Sequence, residues 1–188
     1  AMTGFAIKQI SFVGTGAHTV YALQETGELR RVDLDSSTIS SPILVGVESF
    51  KLYGDDRLSY LAVIDGKKVV GIWKRDWKEP FVIGTFAADS TPVIRISRYF
   101  NKDTVVLADG KNMTIYRGDV SDSKDRQKEF LKTAKIIKAD NAITSITMDN
   151  AGRFIVAQNG AALQTYDLER KELSSVFNIG VAQEVKWL

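Results

Sequence analysis

The feature that most constrains this chain of 188 residues is an internal repeat with a period of 40 to 50 residues. Residues 104–116 align without a gap on residues 154–166, at an offset of 50. Two sets of equivalent positions follow the repeat, the first being Val32, Ile72, Tyr116 and Tyr166, and the second Phe12, Leu52, Ile96, Ile146 and Val185. Both sets are spaced by 40, 44 and 50 residues, and the second set continues with a spacing of 39, which indicates four units and the beginning of a fifth.

Each unit has the pattern of four strands. The second strand is a continuous apolar run, as at residues 61–64, 105–107 and 154–157, which is typical of a strand buried on both faces. A turn dipeptide follows each of these runs, namely Asp65-Gly66, Asp109-Gly110 and Asn159-Gly160. Such dipeptides supply the positive φ angles of two-residue hairpins, so we predict antiparallel strands with Gly66, Gly110 and Gly160 as structural turn residues.

Small antiparallel sheets that are buried on both faces and repeat along the chain resemble the blades of a WD-repeat-like β-propeller. The pairs Tyr166-Asp167 and Val32-Asp33 occupy the place of the Trp-Asp pair that ends a third strand in that family. The Gly-His opening of the family is absent, and Ala17-His18 is the nearest match. Blades with so little of the signature are more similar to bacterial propellers, including those that follow PEGA domains in envelope proteins.

The resemblance implies an all-β chain in which residues 5–188 form a single partial propeller domain. The implied blades are residues 5–46, 47–91, 92–141 and 142–180, and residues 181–188 are the first strand of a fifth blade. Because a propeller closes with four to eight blades, we expect a segment of a larger ring, with a closed four-bladed ring as the alternative. An open arc leaves two apolar blade faces uncovered and therefore predicts a homodimer of arcs.

The composition excludes several classes of function. With 25 basic and 23 acidic side chains, the balance of charge favours neither a nucleic-acid partner nor an anionic membrane. The absence of cysteine excludes a disulfide scaffold, a thiol nucleophile and a thiolate zinc site. No apolar stretch is long enough to be a transmembrane segment. We therefore predict no catalytic residue, no cofactor and no metal site.

The single histidine and the tryptophans have structural and functional interpretations. His18 lies in a predicted turn, with no second histidine or acid at metal-ligand spacing, so we interpret it as a hydrogen-bonding turn residue. Trp73 and Trp77 are interleaved with Lys74 and Arg75, a combination that can stack on nucleic acid or sugar. We expect instead that Trp73 packs between blades and that Trp77 covers an outer loop.

The third unit carries an insertion at residues 119–132. A calcium loop is excluded because the central glycine and the correctly spaced glutamate are missing. A helix is opposed by Lys124, Lys128 and Lys132, which repeat like charges at i,i+4. We therefore expect a mobile charged loop whose partial deletion, at residues 121–126, leaves stability unchanged, with a partner-binding protrusion carrying Phe130 as the alternative.

The sequence predicts a non-catalytic protein-interaction or structural module with a protein or peptide partner. We place the partner on the rim of second-to-third-strand hairpins, which carries Asp65, Lys67, Asp109, Lys111 and Asn159. The opposite rim carries residues 14–18, 54–57, 100–103 and 149–152. The alternative function is a glycan-directed hydrolase or lyase that uses the rim carboxylates. The compartment is open, and the resemblance favours a bacterial envelope protein anchored by sequence outside this segment.

Overall fold

The computed structural model describes residues 6–14, 18–53, 56–159, 162–170 and 172–178. In these residues the chain forms sixteen β-strands and one α-helix, and it divides into two compact units, Ala1–Ala88 and Asp89–Leu188. The all-β class is therefore confirmed. Each unit contains two antiparallel sheets of four strands, and in every sheet the strands follow one another in chain order.

The strands of the first unit form the first and second sheets. The first sheet contains β1 (Ile7–Phe12), β2 (Thr19–Gln24), β3 (Leu29–Asp33) and β4 (Thr38–Ile39). The second sheet contains β5 (Val47–Tyr53), β6 (Arg57–Ile64), β7 (Lys67–Lys74) and β8 (Phe81–Phe86). The sheets meet through their first strands, where the Gln9 side chain donates from Nε2 to the Phe50 carbonyl at 2.7 Å.

The strands of the second unit form the third and fourth sheets. The third sheet contains β9 (Val93–Tyr99), β10 (Lys102–Asp109), β11 (Asn112–Gly118) and β12 (Lys135–Lys138), with α1 (Lys124–Lys132) between the last two strands. The fourth sheet contains β13 (Ser145–Met148), β14 (Phe154–Asn159), β15 (Ala162–Asp167) and β16 (Glu172–Asn178). Here too the first strands, β9 and β13, are in contact.

The second strands form the centre of each sheet, as their apolar runs predict. In β10, all residues from Asp103 to Ala108 are buried. Between the third and fourth sheets lies a core that includes Val106, Ile115, Ile146, Ile155 and Tyr166. In the first unit, the ring of Tyr21 meets that of Trp73 edge to face, with centroids 6.1 Å apart. Packing of the two sheets of a unit on each other thus buries one face of their central strands.

The hairpins follow the prediction in the second sheet and differ from it in the third. Ile64 pairs with Lys67, so Asp65 (φ 51°) and Gly66 (φ 71°) form the expected type I′ turn. In the third sheet Asp109 pairs with Asn112, so the turn is Gly110-Lys111, one residue later than predicted. Gly110 has φ 56°, as expected, and Asp109 belongs to the strand. Gly160 lies outside the described residues.

The two sets of repeat positions also differ in register. We call residues that lie opposite one another across a sheet a row. In the first sheet Phe12, Val20 and Val32 form one row. In the third sheet Ile96, Val105 and Tyr116 form one row, so in both sheets the two sets of repeat positions share a row. In the fourth sheet Ile146 pairs with Ala157 but Tyr166 pairs with Ile155, two rows away. The reason is loop length: the ladder closes over two residues after Tyr99 and over six after Met148.

Candidate functional site

Two departures from the plain repeat lie at the same end of the third sheet. One is the tight turn of Phe100 and Asn101, between β9 and β10. The other is the insertion that leaves β11 at Gly118 and carries α1. Asp103 pairs with Gly118, so the turn and the insertion are neighbours. We call residues 99–102 the tip, and the tip with residues 119–132 the tip–helix surface.

The tip presents two aromatic rings to solvent from an unusual backbone conformation. Phe100 has φ 45° and Asn101 has φ 61°, the two positive angles of a type I′ turn. Asparagine adopts this conformation readily, whereas a bulky phenylalanine is a rare occupant. The Phe100 side chain is 81% exposed, and its ring meets the ring of Tyr99 at a centroid distance of 4.3 Å. The chain therefore holds a large apolar side chain in water at a strained position.

A buried ion pair fixes the tip to the insertion. Asp103 has no exposed surface, and its Oδ2 accepts a hydrogen bond from Nη1 of Arg98 at 2.7 Å. The same oxygen accepts the backbone N–H of Val120 at 3.2 Å. Arg98 also donates from Nη2 to the side chain of Asn101 at 3.4 Å. One carboxylate thus joins the base of the tip to the first residues of the insertion.

The fourth sheet supports the tip from its side. The Ser97 hydroxyl donates to the Asn150 carbonyl at 2.7 Å, and Nε of Arg95 donates to the Ile146 carbonyl at 2.7 Å. Gly152, at φ 63°, approaches so closely that a Cβ there would lie 2.8 Å from the Thr104 hydroxyl. These contacts place the tip on a rigid support rather than on a free loop.

The insertion is a helix, and the prediction of a mobile charged loop is wrong. Phe130 is 2% exposed and stacks on Tyr116, with centroids 5.7 Å apart and ring planes 21° apart. Burial of a phenylalanine contributes roughly 1.5–3 kcal/mol, whereas each like-charge pair at i,i+4 costs only about 0.2–0.5 kcal/mol. Lys132 also pairs with Glu129 at 2.6 Å, which offsets part of the repulsion. Because Phe130 is buried, it is not the protruding group of the alternative prediction.

A shallow hollow of about 340 Å³ lies beside the helix. Its lining residues are Gly118, Asp119, Arg126, Glu129, Phe130 and Thr133. Nη1 of Arg126 lies 3.3 Å from the carboxylate of Asp119. A Cβ at position 118 would come within 3.2 Å of the Phe130 ring, so the glycine leaves room for that ring to pack against β11. The tip–helix surface therefore combines a convex aromatic turn with a concave hollow.

The residues predicted to bind a partner, on the rim of second-to-third-strand hairpins, are distributed over three hairpins. Asp65 and Lys67 are exposed at the β6–β7 hairpin of the first unit. Asp109 is half-buried and Lys111 is exposed at the β10–β11 hairpin of the second unit. Asn159 is the last residue of β14, and its side chain lies outside the described residues. The structure thus places Asp65 beside Lys67 in one hairpin and Asp109 beside Lys111 in another.

His18 has an acidic partner that its sequence surroundings do not indicate. Its Nδ1 contacts the carboxylate of Asp35, and both side chains are about two-thirds exposed. The His18 carbonyl accepts the N–H of Leu34 at 2.7 Å, so the contact closes the β2–β3 ladder. Among the described residues, no group of three or more histidine and acidic side chains is arranged to hold a metal ion.

Both described tryptophans are buried in the first unit. Trp73 packs on Tyr21, and the guanidinium of Arg57 lies 5.6 Å from the ring centre of Trp77. Each tryptophan is only 8% exposed, so neither ring forms a platform for a base or a sugar. Burial, together with nearby Asp56, raises the pKa of the Tyr21 hydroxyl, which stays neutral and donates to Asp56 at 3.0 Å.

The aspartates that match the Trp-Asp position of WD repeats have a structural role. Oδ1 of Asp33 accepts hydrogen bonds from the N–H and the hydroxyl of Ser36, both at 2.9 Å. Oδ1 of Asp167 accepts the N–H groups of Arg170 and Glu169 at 3.1 and 2.8 Å. These hydrogen bonds lower the pKa of both carboxyl groups below the usual 3.8, because they stabilise the ionised form.

The chain is not assigned to a family by comparison with known proteins. No protein-family model matches the sequence, and a search of curated proteins finds no significant relative. In the described part of the chain, no helix has the length and apolar character needed to cross a membrane.

Proposed function

We propose that this chain is a non-catalytic protein-interaction module and that its four sheets are blades of a WD-repeat-like β-propeller. The observation that carries the proposal is the tip–helix surface, where Phe100 is displayed in a strained turn that a buried ion pair holds in place. Strained residues cluster at functional sites, and exposed aromatic side chains on rigid supports are typical anchors of protein interfaces.

Four features support the propeller. Each sheet is a meander of four strands. The second strand is the most buried one in the first and third sheets, and in the second sheet it is as buried as the third strand. Within each unit the two sheets meet through their first strands. In a propeller the first strand of each blade is the innermost, so neighbouring blades approach there. Asp33 and Asp167, at the end of third strands, also form the same type of turn in two sheets.

The polar groups at the tip–helix surface support binding rather than catalysis. Asp103 is committed to Arg98 and Val120, and Asp119 pairs with Arg126. Glycoside hydrolysis requires two carboxyl groups at a separation of roughly 5–10 Å. Attachment to a bacterial envelope remains a prediction of the resemblance.

Two measurements test the proposed function. A library of random peptides displayed on phage is selected on the immobilised chain, and we expect clones whose binding is lost in Phe100→Asn and kept in Asp65→Asn. In parallel, the chain is incubated with peptidoglycan, chitin oligosaccharides, pectin and alginate, and new reducing ends and unsaturated products are measured. Turnover that disappears in Asp65→Asn or Asp109→Asn, with an unchanged melting temperature, would establish the enzyme instead.

A further inference from the structure

A hairpin end such as the tip has two available forms, and the structure shows the strained one. Tyr99 pairs with Lys102 across a two-residue turn, which requires positive φ at Phe100. If that pair opens, the loop has four residues and can form a type I turn without positive φ. Phe100 is 81% exposed and Tyr99 is 50% exposed, so contacts within the tip contribute little to the choice of form. A strained conformation persists only where the surrounding structure determines it, so the restraint lies outside the tip.

The nearest restraint is the buried carboxylate of Asp103. Arg98 and Asp103 form the next pair of the ladder, adjacent to the tip. Arg98 donates from Nη1 to Asp103 and from Nη2 to Asn101, so its guanidinium reaches from the ladder to the turn. A carboxylate with no exposed surface is strongly destabilised without its partners, which keeps Arg98 in place. The ion pair therefore favours the closed, two-residue turn.

A second partner of Asp103 is held by the helix. Oδ2 of Asp103 accepts the N–H of Val120, a residue with no exposed surface. The carbonyl of the next residue, Ser121, accepts a hydrogen bond from Nε2 of Gln127 at 3.0 Å. Gln127 and Phe130 are the buried residues of α1, so docking of the helix fixes the segment that carries Val120.

We propose that docking of α1 controls binding at the tip, with Asp103 as the positioning residue between them. The inference rests on the proposed function and describes how that binding surface is regulated. With α1 docked, Val120 and Arg98 hold the carboxylate and the turn is closed. With α1 undocked, the carboxylate loses the Val120 N–H, and the turn opens into the relaxed loop that no longer presents Phe100. Coupling of this kind is reciprocal, so a partner bound at Phe100 also stabilises the docked helix.

The support from the fourth sheet is separate from the support by the helix. The hydrogen bonds to the fourth sheet leave β9 at Arg95 and Ser97, before the tip begins. The helix lies on the other face of the third sheet, because Phe130 stacks on Tyr116, whereas the preceding residue, Ile115, belongs to the core shared with the fourth sheet. Substitutions can therefore remove either support and leave the other in place.

Four kinds of variant make this separation. Phe130→Ala undocks the helix without touching the tip, and Phe130→Leu is a milder form of the same change. Arg98→Met with Asp103→Leu replaces the ion pair without leaving an unpaired buried charge. Ser97→Ala removes a hydrogen bond to the fourth sheet. Ile155→Ala weakens the core between the third and fourth sheets and controls for a loss of stability alone. Circular dichroism confirms that each variant is folded.

Nuclear magnetic resonance on the isotope-labelled chain measures the turn directly. Positive φ at Phe100 gives a strong nuclear Overhauser effect between its own amide and α protons, and the closed pair protects the Lys102 amide from hydrogen exchange. We expect the Phe130 variants and the Arg98/Asp103 double variant to lose this signal and to exchange the Lys102 amide at least about tenfold faster. Ser97→Ala and Ile155→Ala should keep the signal and stay within about twofold of the native exchange rate.

A peptide selected through Phe100 tests the link to binding. Its dissociation constant is expected to rise at least about tenfold in the Phe130 variants and in the Arg98/Asp103 double variant, because the competent form of the tip is less populated. In the native chain, the bound peptide should slow hydrogen exchange within α1.

Two structural outcomes would overturn the proposal. One is that both Phe130 variants keep the Overhauser effect and the protected Lys102 amide, and the other is that Ser97→Ala opens the turn as much as the Arg98/Asp103 double variant does. Unchanged peptide affinity in the Phe130 variants would also overturn it and would leave the proposed function standing. A chain that shows the coupled opening but selects no Phe100-dependent peptide would support Asp103 as the link between helix and turn and overturn the proposed function.

Discussion

At the scale of single residues, Phe100 exposes a large apolar side chain from a backbone conformation that lowers the stability of the chain. Its side chain makes few buried contacts, and its backbone occupies a region that asparagine and glycine adopt at lower free energy. Turn chemistry alone would select Asn-Gly at positions 100 and 101. A phenylalanine there is consistent with a role in binding, because local rules of sequence are broken most often at functional sites.

Phe100→Asn is therefore expected to stabilise the isolated chain. Relief of the strained backbone outweighs the loss of the exposed contact with Tyr99, so the free energy of unfolding should rise by about 0.5–1 kcal/mol. Urea denaturation at sub-micromolar concentration, where association does not contribute, measures the change. Phe12→Asn, in a regular strand, should give no gain. Equal destabilisation of both variants would contradict the strained turn.

Asp33 and Asp167 predict how stability depends on pH. Their pKa values are lowered in the folded chain, so the unfolded chain binds protons more readily. Their contribution to stability is complete above the unfolded value of 3.8 and is lost as pH falls through the lower folded pKa.

The double variant Asp33→Asn/Asp167→Asn should therefore lose less stability than the native chain between pH 6 and pH 3. Urea denaturation at both pH values measures this difference. Asp122→Asn, on the exposed part of the insertion, is the control and should follow the native chain. The same decline in all three proteins would show that the turn hydrogen bonds do not favour the ionised form.

At the scale of elements, the strands were predictable from sequence and the helix was not. The apolar runs and turn dipeptides indicate the central strands because each reports a local requirement, burial on two faces or positive φ. The helix depends on a contact between Phe130 and Tyr116, which are 14 residues apart. The sequence placed residues 100–103 in a rim loop but did not predict the conformation of the tip, since phenylalanine at φ 45° contradicts the turn preference on which sequence reasoning relies.

The sequence also could not predict which residues lie opposite one another across the strands of each sheet. A repeat length is the sum of its strands and loops, so a longer first hairpin in one unit can be offset elsewhere without changing the spacing of equivalent residues. This explains why Ile146 and Tyr166 keep the 50-residue offset and still lie two rows apart. In the third sheet the turn is Gly110-Lys111, one residue later than the Asp109-Gly110 turn that the repeat predicts.

The helix should contribute substantially to stability, in contrast to the expectation for a loop. Phe130→Ala removes a buried ring and is expected to lower the free energy of unfolding by about 3 kcal/mol. Lys128→Ala, on the exposed side of α1, should change it by less than about 0.5 kcal/mol. Deletion of residues 121–126 should be costly too, since it removes the first helical residues and the carbonyl of Ser121 that Gln127 bonds. Thermal unfolding followed by circular dichroism compares all three variants.

At the scale of the whole molecule, the question is whether the two compact units unfold as one. Successive blades of a propeller share packed faces, so the proposal predicts a single cooperative transition. Two independent domains would unfold separately. The distribution of tryptophan allows a direct distinction, because Trp73 and Trp77 belong to the first unit and the third tryptophan, Trp187, lies outside the described residues.

In a Trp187→Phe background, tryptophan fluorescence reports the first unit and far-ultraviolet circular dichroism reports both units. We expect the two signals to give the same urea midpoint. Adding Phe130→Ala, which weakens only the second unit directly, should lower both midpoints together, because blades that share an interface transmit the loss. Lys128→Ala in the same background controls for the added substitution. If Phe130→Ala lowers the circular dichroism midpoint and leaves the fluorescence midpoint unchanged, the units are independent domains and the propeller proposal fails.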